Sequence, residues 1–232
     1  MKPIWKSTFL LHAETDEYLE NIANAKEALH TAVESHKKTY CSFSGGKDST
    51  VLLWLALQEK PTMLVLHIDF GRWLMPRAIF AEICKNAKMQ GVRNLRIEGS
   101  DQWERAGRKL PKGGIFGKVL FGRIEPQLHE EGYDCCLLGL RAEESRKRAS
   151  RTKDKAWDMA TIDTAYPISH LSYMDIWAAI VSNGLPYLSH YDDQEAIGIG
   201  YDKSRISSFF TAGRGMMAVH KVMLPEELHQ MI

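Results

Sequence analysis

Residues 44–50 read Ser-Gly-Gly-Lys-Asp-Ser-Thr and follow the apolar-leaning run Thr39-Tyr40-Cys41-Ser42-Phe43. These residue types at this spacing suit the holding of a phosphate chain. Gly45 and Gly46 admit positive φ and let the backbone come close to a ligand. The run from Ser49 to Leu57 reads as a mostly buried helix, so its free N–H groups and dipole favour an anion at the turn. Ser44 and Ser49 offer hydroxyl donors, and Lys47 offers a cation. Asp48 beside phosphates is unfavourable unless it braces the turn or helps hold Mg²⁺. The Walker spelling G-x-x-x-x-G-K-[ST] fails twice: Cys41 stands where its first glycine belongs, and Asp48 follows Lys47.

The elements that must position this loop can be read from apolar runs and their breakers. A helix is expected from about Thr15 to Lys37, and strands at 39–43, 63–68, 95–97, 134–140 and 161–168. Between them, helices are expected over 49–57, from Pro76 to about Met89, and from Lys118 to Glu130. A Gly- and Lys-rich loop covers 107–117, and a helix starting at Ser172 or Asp175 runs through Val181. A flexible basic turn at Gly213-Arg214-Gly215 and a short helix near Pro225 complete the C-terminal part. Apolar strands alternating with helices predict an α/β fold with a parallel sheet covered on both faces. Ligands in such sheets bind beyond the carboxyl ends of the strands. The loop at 44–49, Asp69-Phe70-Gly71 and Gly139-Leu140-Arg141 each follow a strand, so all three are expected to meet at one edge.

The bulk numbers bound the rest. The chain has 232 residues, 44% hydrophobic and 25% charged, with a formal net charge of +1. It reads as one domain over 1–232, with a core at about 38–192 and a C-terminal extension at about 193–232. The near-zero charge gives no global field for nucleic acid or membrane. No apolar run has transmembrane length and no signal peptide is evident, so a cytoplasmic protein is expected. Cys41, Cys84, Cys135 and Cys136 show no zinc spacing. Cys135 and Cys136 read as buried strand residues, with a redox pair as the alternative.

The stretch Ser-Gly-Gly-Lys-Asp-Ser after a strand resembles the PP-loop of the ATP pyrophosphatase (adenine nucleotide alpha hydrolase) superfamily. Three further stretches narrow the resemblance to the phosphoadenylyl-sulfate (PAPS) reductase and ATP sulfurylase small-subunit branch. They are Leu66-His67-Ile68-Asp69-Phe70-Gly71, the run Leu138 to Arg146, and the segment from Tyr166-Pro167-Ile168 through Tyr191-Asp192. The resemblance covers about residues 38–192. Within the branch, the Glu143-Glu144-Ser145-Arg146-Lys147-Arg148 spelling looks most like stand-alone proteins of phages and DNA-modification systems.

The resemblance implies a flavodoxin-like three-layer fold that binds ATP or a related adenylyl nucleotide with Mg²⁺. It implies cleavage between the α and β phosphates with adenylyl transfer, in sulfur-related metabolism or modification. Lys47, Arg141 and Arg146 are the candidate catalytic residues. Ser44, Gly45, Gly46, Asp48, Ser49, His67, Asp69, Gly139, Glu144, Ser145 and Arg205 are the candidate nucleotide contacts, with Asp48 also the candidate metal ligand. Arginines at a strand's carboxyl end can pair bidentately with phosphate or sulfate, with Glu144 and Ser145 orienting them. Asp69 either serves the nucleotide or caps the next segment, and His67 is either a ligand contact or a core residue. Asp175 and Trp177 are expected to shape the fold.

Assimilatory reductases of this family attack sulfur with a cysteine in a C-terminal E-C-G-L-H motif. No such motif is present, and neither are the cysteine pairs of an iron–sulfur cluster. Reductase activity is therefore the weaker reading, and no iron–sulfur cluster is expected. A sulfur donor, a GTPase partner or a homodimer would fit the family. Residues 141–155 hold seven Lys or Arg against three acids, so a nucleic-acid-modifying enzyme is a second reading. A nucleotide sensor without turnover is a third.

Overall fold

The computed structural model describes residues 1–108, 119–153 and 162–206. Five strands form one parallel sheet: β1 (Thr39–Ser42), β2 (Leu64–Asp69), β3 (Leu95–Gly99), β4 (Cys135–Leu138) and β5 (Asp163–Ala165). All five fall on the expected apolar runs. Their order is β3-β2-β1-β4-β5. Every residue of β1 and β4 is buried, while the edge strands β3 and β5 are partly exposed. Side chains alternate between faces, so burial of every residue means that both faces are covered. The three-layer α/β arrangement follows.

The helices are α1 (Pro3–His12), α2 (Asp16–Glu34), α3 (Lys47–Glu59), α4 (Arg77–Met89), α5 (Gln102–Arg105), α6 (Glu125–Glu130), α7 (Arg146–Lys153), α8 (Tyr173–Ser182) and α9 (His190–Ala196). A wider turn, Leu120–Ile124, leads into α6. The expected loop beyond residue 108, Lys118, Thr161 and everything expected beyond 206, including Gly213-Arg214-Gly215, lie outside the described residues. Among the described residues no helix is long and apolar enough to cross a membrane.

Helix α2 starts where the Thr15 hydroxyl accepts the Tyr18 N–H at 3.2 Å. It buries Tyr18, Ile22, Ala25, Leu29 and Ala32, a stripe at steps of three and four. Helix α1 was not expected from the sequence. Its tenure depends on distant partners: Phe9 is fully buried and stacks on Trp177 with ring centroids 6.0 Å apart. Trp177 also meets Tyr187 and Tyr191 at 5.3 Å each and Tyr201 at 4.8 Å. This aromatic cluster fixes the segments that close the site from the C-terminal side.

Both expected starts of α8 are correct in different senses. Ser172 is the cap and Asp175 is its reciprocal partner: each side chain accepts the other's backbone N–H, at 3.1 and 2.8 Å. Asp175 also accepts from His12 at 2.7 Å and Asn21 at 3.1 Å, tying α8 to α1 and α2. This carboxylate is structural. Asp175→Ala would strand several donors around a buried site and cost about 3 kcal/mol, lowering Tm by roughly 6–12 °C. Thermal unfolding followed by circular dichroism checks this.

Candidate nucleotide site

Strand order places the site. The sequence runs outward from β1 through β2 to β3, then crosses back so that β4 lies on the other side of β1. The crevice at such a reversal, beyond the carboxyl ends, is where open α/β sheets take their ligands. Here it lies between the Ser44–Ser49 loop after β1 and Gly139–Arg141 after β4. Gly139 permits the approach: a Cβ there would stand 3.2 Å from the backbone N and Cα of Ser49.

The loop itself is braced. Gly45 takes φ +80°, and a Cβ there would meet Ile83 of α4 at 2.5 Å. Ser49 donates to the Gly46 carbonyl at 2.9 Å, so in its 3.0 Å contact with Ser44 the Ser44 hydroxyl is the donor. The Gly46 N–H in turn reaches Ser44 Oγ at 3.2 Å. Both serines therefore brace the turn. The Lys47 backbone N–H donates to Tyr191 Oη at 2.8 Å. Its side chain is only 2% exposed, and Nζ donates to the Ser204 carbonyl at 2.9 Å. Burial lowers the Lys47 pKa, with Asp48 opposing that shift.

Asp48 and Arg141 form the second layer of the site. Arg141, also 2% exposed, donates Nε to Asp48 Oδ1 and Nη1 to Glu143 Oε2. Asp48 Oδ2 lies 3.6 Å from Lys47 Nζ. Burial alone would raise the Asp48 pKa, but Lys47 and Arg141 together hold it below the usual range. This arrangement does not suit a dedicated Mg²⁺ seat. One carboxylate oxygen is bound to a guanidinium and the other faces an amine, so a divalent ion there would meet two cations. The expectation of Asp48 as metal ligand gives way to Asp48 as a brace between Lys47 and Arg141.

A cavity of about 230 Å³ opens over the loop. Ser44, Gly46, Lys47, Asp48, Ser49, Glu144, Arg148 and Arg205 line its polar end. Phe43, Ile68, Phe70, Met75, Leu138 and Ile206 line its apolar end. His67 and Gly139 are also in its wall. His67 Nδ1 donates to the Phe43 carbonyl at 2.8 Å, which leaves Nε2 a lone-pair acceptor with no partner among the described residues. Burial lowers the His67 pKa, so the neutral ring is favoured. A second, polar cavity of about 210 Å³ adjoins the first and shares Lys47, Glu144 and Arg205 with it.

Three expected contacts are placed elsewhere. Arg146 is exposed and lines neither cavity; Arg148, half a turn further along α7, lines the main one. Ser145 caps α7 by accepting the Arg148 N–H at 3.2 Å, and its hydroxyl meets no arginine side chain among the described residues. Glu144 pairs with Arg148, and Glu143 takes the orienting role at Arg141. Asp69 lines neither cavity and receives Arg77 through two bonds of 2.8 and 2.9 Å and the Gly71 N–H at 2.9 Å. Burial would raise its pKa, but Arg77 and the Gly71 N–H lower it. These bonds brace the turn after β2 and tie it to the start of α4.

Tyr191 and Ser204 were not singled out for the site by sequence reasoning. Tyr191 fell inside a matched stretch without a role, and Ser204 acts through a carbonyl that any residue carries. Cys41, Cys135 and Cys136 are buried, and none of the four cysteines lines either cavity. Burial pushes Cys41 and Cys135 up to about 12, so their thiols stay protonated.

The same architecture occurs in known proteins. An uncharacterized protein of Methanocaldococcus jannaschii is 28% identical over 202 residues, covering 80% of this chain and 38% of its own length. This chain therefore spans well under half of that relative. Sulfate adenylyltransferase subunit 2 of a Sulfurovum strain is 26% identical over 215 residues, covering 79% of this chain and 70% of its own. The phosphate complex of phosphoadenylyl-sulfate reductase from Candida auris superposes with a TM-score of 0.50 at 18% identity. That match covers 71% of this chain and 81% of the reductase, and it supports the fold. Residues 38–203 match the phosphoadenosine phosphosulfate reductase domain. With its PP-loop at the reversal of a five-stranded parallel sheet, the chain belongs to the phosphoadenosine phosphosulfate reductase domain family.

Proposed function

We propose that the chain binds ATP in the main cavity and cleaves it between the α and β phosphates, passing the adenylyl group to an acceptor. The observation that carries this reading is the buried Lys47 at the head of α3, behind a two-glycine turn and facing Arg148 and Arg205 across one cavity. The phosphates would sit at the polar end, on the loop N–H groups and these cations. The adenine would enter the apolar end, where His67 Nε2 accepts from its exocyclic amine. As the acceptor attacks the α-phosphorus, charge grows on the non-bridging oxygens and pyrophosphate leaves. Preorganised donors in a partly desolvated cleft are well suited to stabilise that charge.

Two features favour adenylyl transfer over sulfonucleotide reduction. Reduction of this kind needs a thiolate at the sulfur, and all four cysteines lie outside both cavities. The second cavity, with Arg141, Tyr173 and Asp202 in its wall, offers room for an acceptor beside the shared Lys47. A partner protein supplying sulfur or GTPase function belongs to the same proposal, since the Sulfurovum relative is by name one subunit of an enzyme.

The test is a panel of ATP, adenylyl sulfate and PAPS, each with Mg²⁺, read by pyrophosphate release and mass spectrometry. Pyrophosphate from ATP, stimulated by sulfate, FMN or RNA, is the expected result. Sulfite released from PAPS with thioredoxin would overturn the assignment. Tight ATP binding with no product under any of these conditions would replace it with the sensor reading.

A further inference from the structure

Two tryptophans follow the carboxyl ends of β2 and β3, on the same edge of the sheet as the site. Trp73 lies in the turn after β2 and Trp103 in α5, just after β3. Their rings stack with centroids 5.7 Å apart and planes 20° from parallel. The Arg72 guanidinium lies 4.5 Å from the Trp73 ring centre, and it makes no ion pair among the described residues. Both tryptophans remain partly exposed and Arg72 is exposed, whereas Leu74 and Met75 beside them are buried. The core has thus taken the aliphatic residues of this turn and left the indole at the surface. The turn is also the wall of the nucleotide cavity, through Phe70 and Met75.

Topology sets these groups in a row. In the order β3-β2-β1-β4, the loops carrying Trp103, Trp73, the two-glycine turn and Arg141 follow one another along one edge. At about 4.8 Å per strand the row spans roughly 14 Å. Beyond its far end stands α7, whose sequence Arg-Lys-Arg-Ala-Ser-Arg-Thr-Lys carries no acid. The near end carries Arg72 and Arg108 as well as Arg77 and Arg105, which are paired with Asp69 and Asp101. With Trp103 and Arg72 both packed on Trp73, the outer face of Trp103 and the guanidinium plane of Arg72 are the surfaces this stack offers to splayed bases.

We propose that Trp73, Trp103 and Arg72 form a stacking platform for an unpaired segment of RNA lying across the mouth of the nucleotide cavity. The proposal rests on the nucleotide reading for its meaning but not for its evidence. A protein partner fits less well. The large exposed aliphatic residues among those described are Ile4, Leu10, Leu11, Leu19, Met89, Ile97 and Ile197, and none lies in the two segments that carry the stack. Duplex fits less well too, because paired bases keep their faces covered. RNA is favoured over DNA by Glu104, exposed beside Trp103 and without an ion pair among the described residues. A carboxylate there repels phosphate and can accept from a 2′-hydroxyl.

The experiment measures binding by fluorescence anisotropy with a labelled single-stranded RNA of about 12 nucleotides, within the range of known single-strand site sizes. The same sequence as DNA and as an RNA duplex, and ATP by calorimetry, are measured alongside. Wild type should prefer the single-stranded RNA over the duplex by about tenfold, since stacking is worth about 1–3 kcal/mol per base, and over the DNA through the 2′-hydroxyl contact alone. Trp73→Ala and Trp103→Ala should each weaken RNA binding about tenfold and leave ATP affinity within about twofold. Trp73→Phe and Trp103→Phe should restore most of the loss, which guards against a mere folding defect. Arg72→Ala should lower the salt slope by about one. Alanine variants that bind RNA like wild type would overturn the platform. Equal affinity for DNA would overturn the choice of RNA. ATP binding without any RNA binding would remove the platform and leave the nucleotide site standing. RNA binding without ATP binding would do the reverse.

Discussion

Lys47→Ala should lower the rate of pyrophosphate release from ATP by at least about 10²–10³-fold, the usual effect of deleting one preorganised donor to developing charge. The expectation rests on position. The amine is sequestered from water, sits at the first turn of α3 and borders both cavities. It is held by the Ser204 carbonyl at 2.9 Å, an uncharged acceptor that a phosphate oxygen would outbid. Lys47→Met retains the side chain's volume without its charge, so it separates lost chemistry from a cavity. Both variants should keep the wild-type circular dichroism spectrum. If either turns over at the wild-type rate, the assignment of this loop as the reacting site is wrong.

Arg141→Leu should cost about 3 kcal/mol of stability at neutral pH. Breaking a buried ion pair from one side leaves the other charge uncompensated. Asp48 would retain Lys47, 3.6 Å away, and the weaker influence of Arg148. The pH dependence follows from the sign of the Asp48 shift. Its folded pKa is depressed below the unfolded value, so its stabilising contribution is complete above that unfolded value, about 4. The contribution is lost as pH falls through the folded value. The gap between wild type and Arg141→Leu should therefore be widest near neutrality and narrow below about pH 4. Urea unfolding across that range checks it. Adding Asp48→Asn should recover much of the loss, because removing both partners costs less than removing one. A gap independent of pH, with no recovery in the double variant, would mean that Arg141 acts by packing alone.

The strands were legible because the inner strands of a doubly covered sheet are continuous apolar runs closed by glycine or aspartate. The loop after β1 was legible for a similar reason, since its glycines and charges interrupt such a run. Helix α1 was not, because Pro3–His12 has no clear stripe and is buried through Phe9 on Trp177, 168 residues away in sequence. Arg146 was preferred to Arg148 because a motif gives spacing but not the direction in which a helix leaves a strand. Asp69 was left between two readings because Arg77, its partner, lies outside the stretch that carried the motif. Ser204 could not be found by residue type, since its contribution is a main-chain oxygen. Arg205 comes to the cavity through backbone bonds to the Gln194 side chain, both 3.0 Å, a pairing that no sequence spacing announces.

The pairing of β1 with β4 has a kinetic side. Cys41 lies opposite Leu137, so the two walls of the crevice come from segments nearly a hundred residues apart. Contacts within the β1–β2–β3 half are the more local ones, and seating β4 beside β1 carries the cost of closing a loop of this length. A chain that has not yet seated β4 has no crevice and therefore no affinity. Ligand then acts only on the finished protein, adding about 2.7 kcal/mol at a hundredfold excess over Kd. Its effect should fall mainly on the unfolding rate, as expected for contacts absent from the folding transition state. In a cell, nucleotide supply would then govern how long each finished molecule survives proteolysis as well as how fast it works.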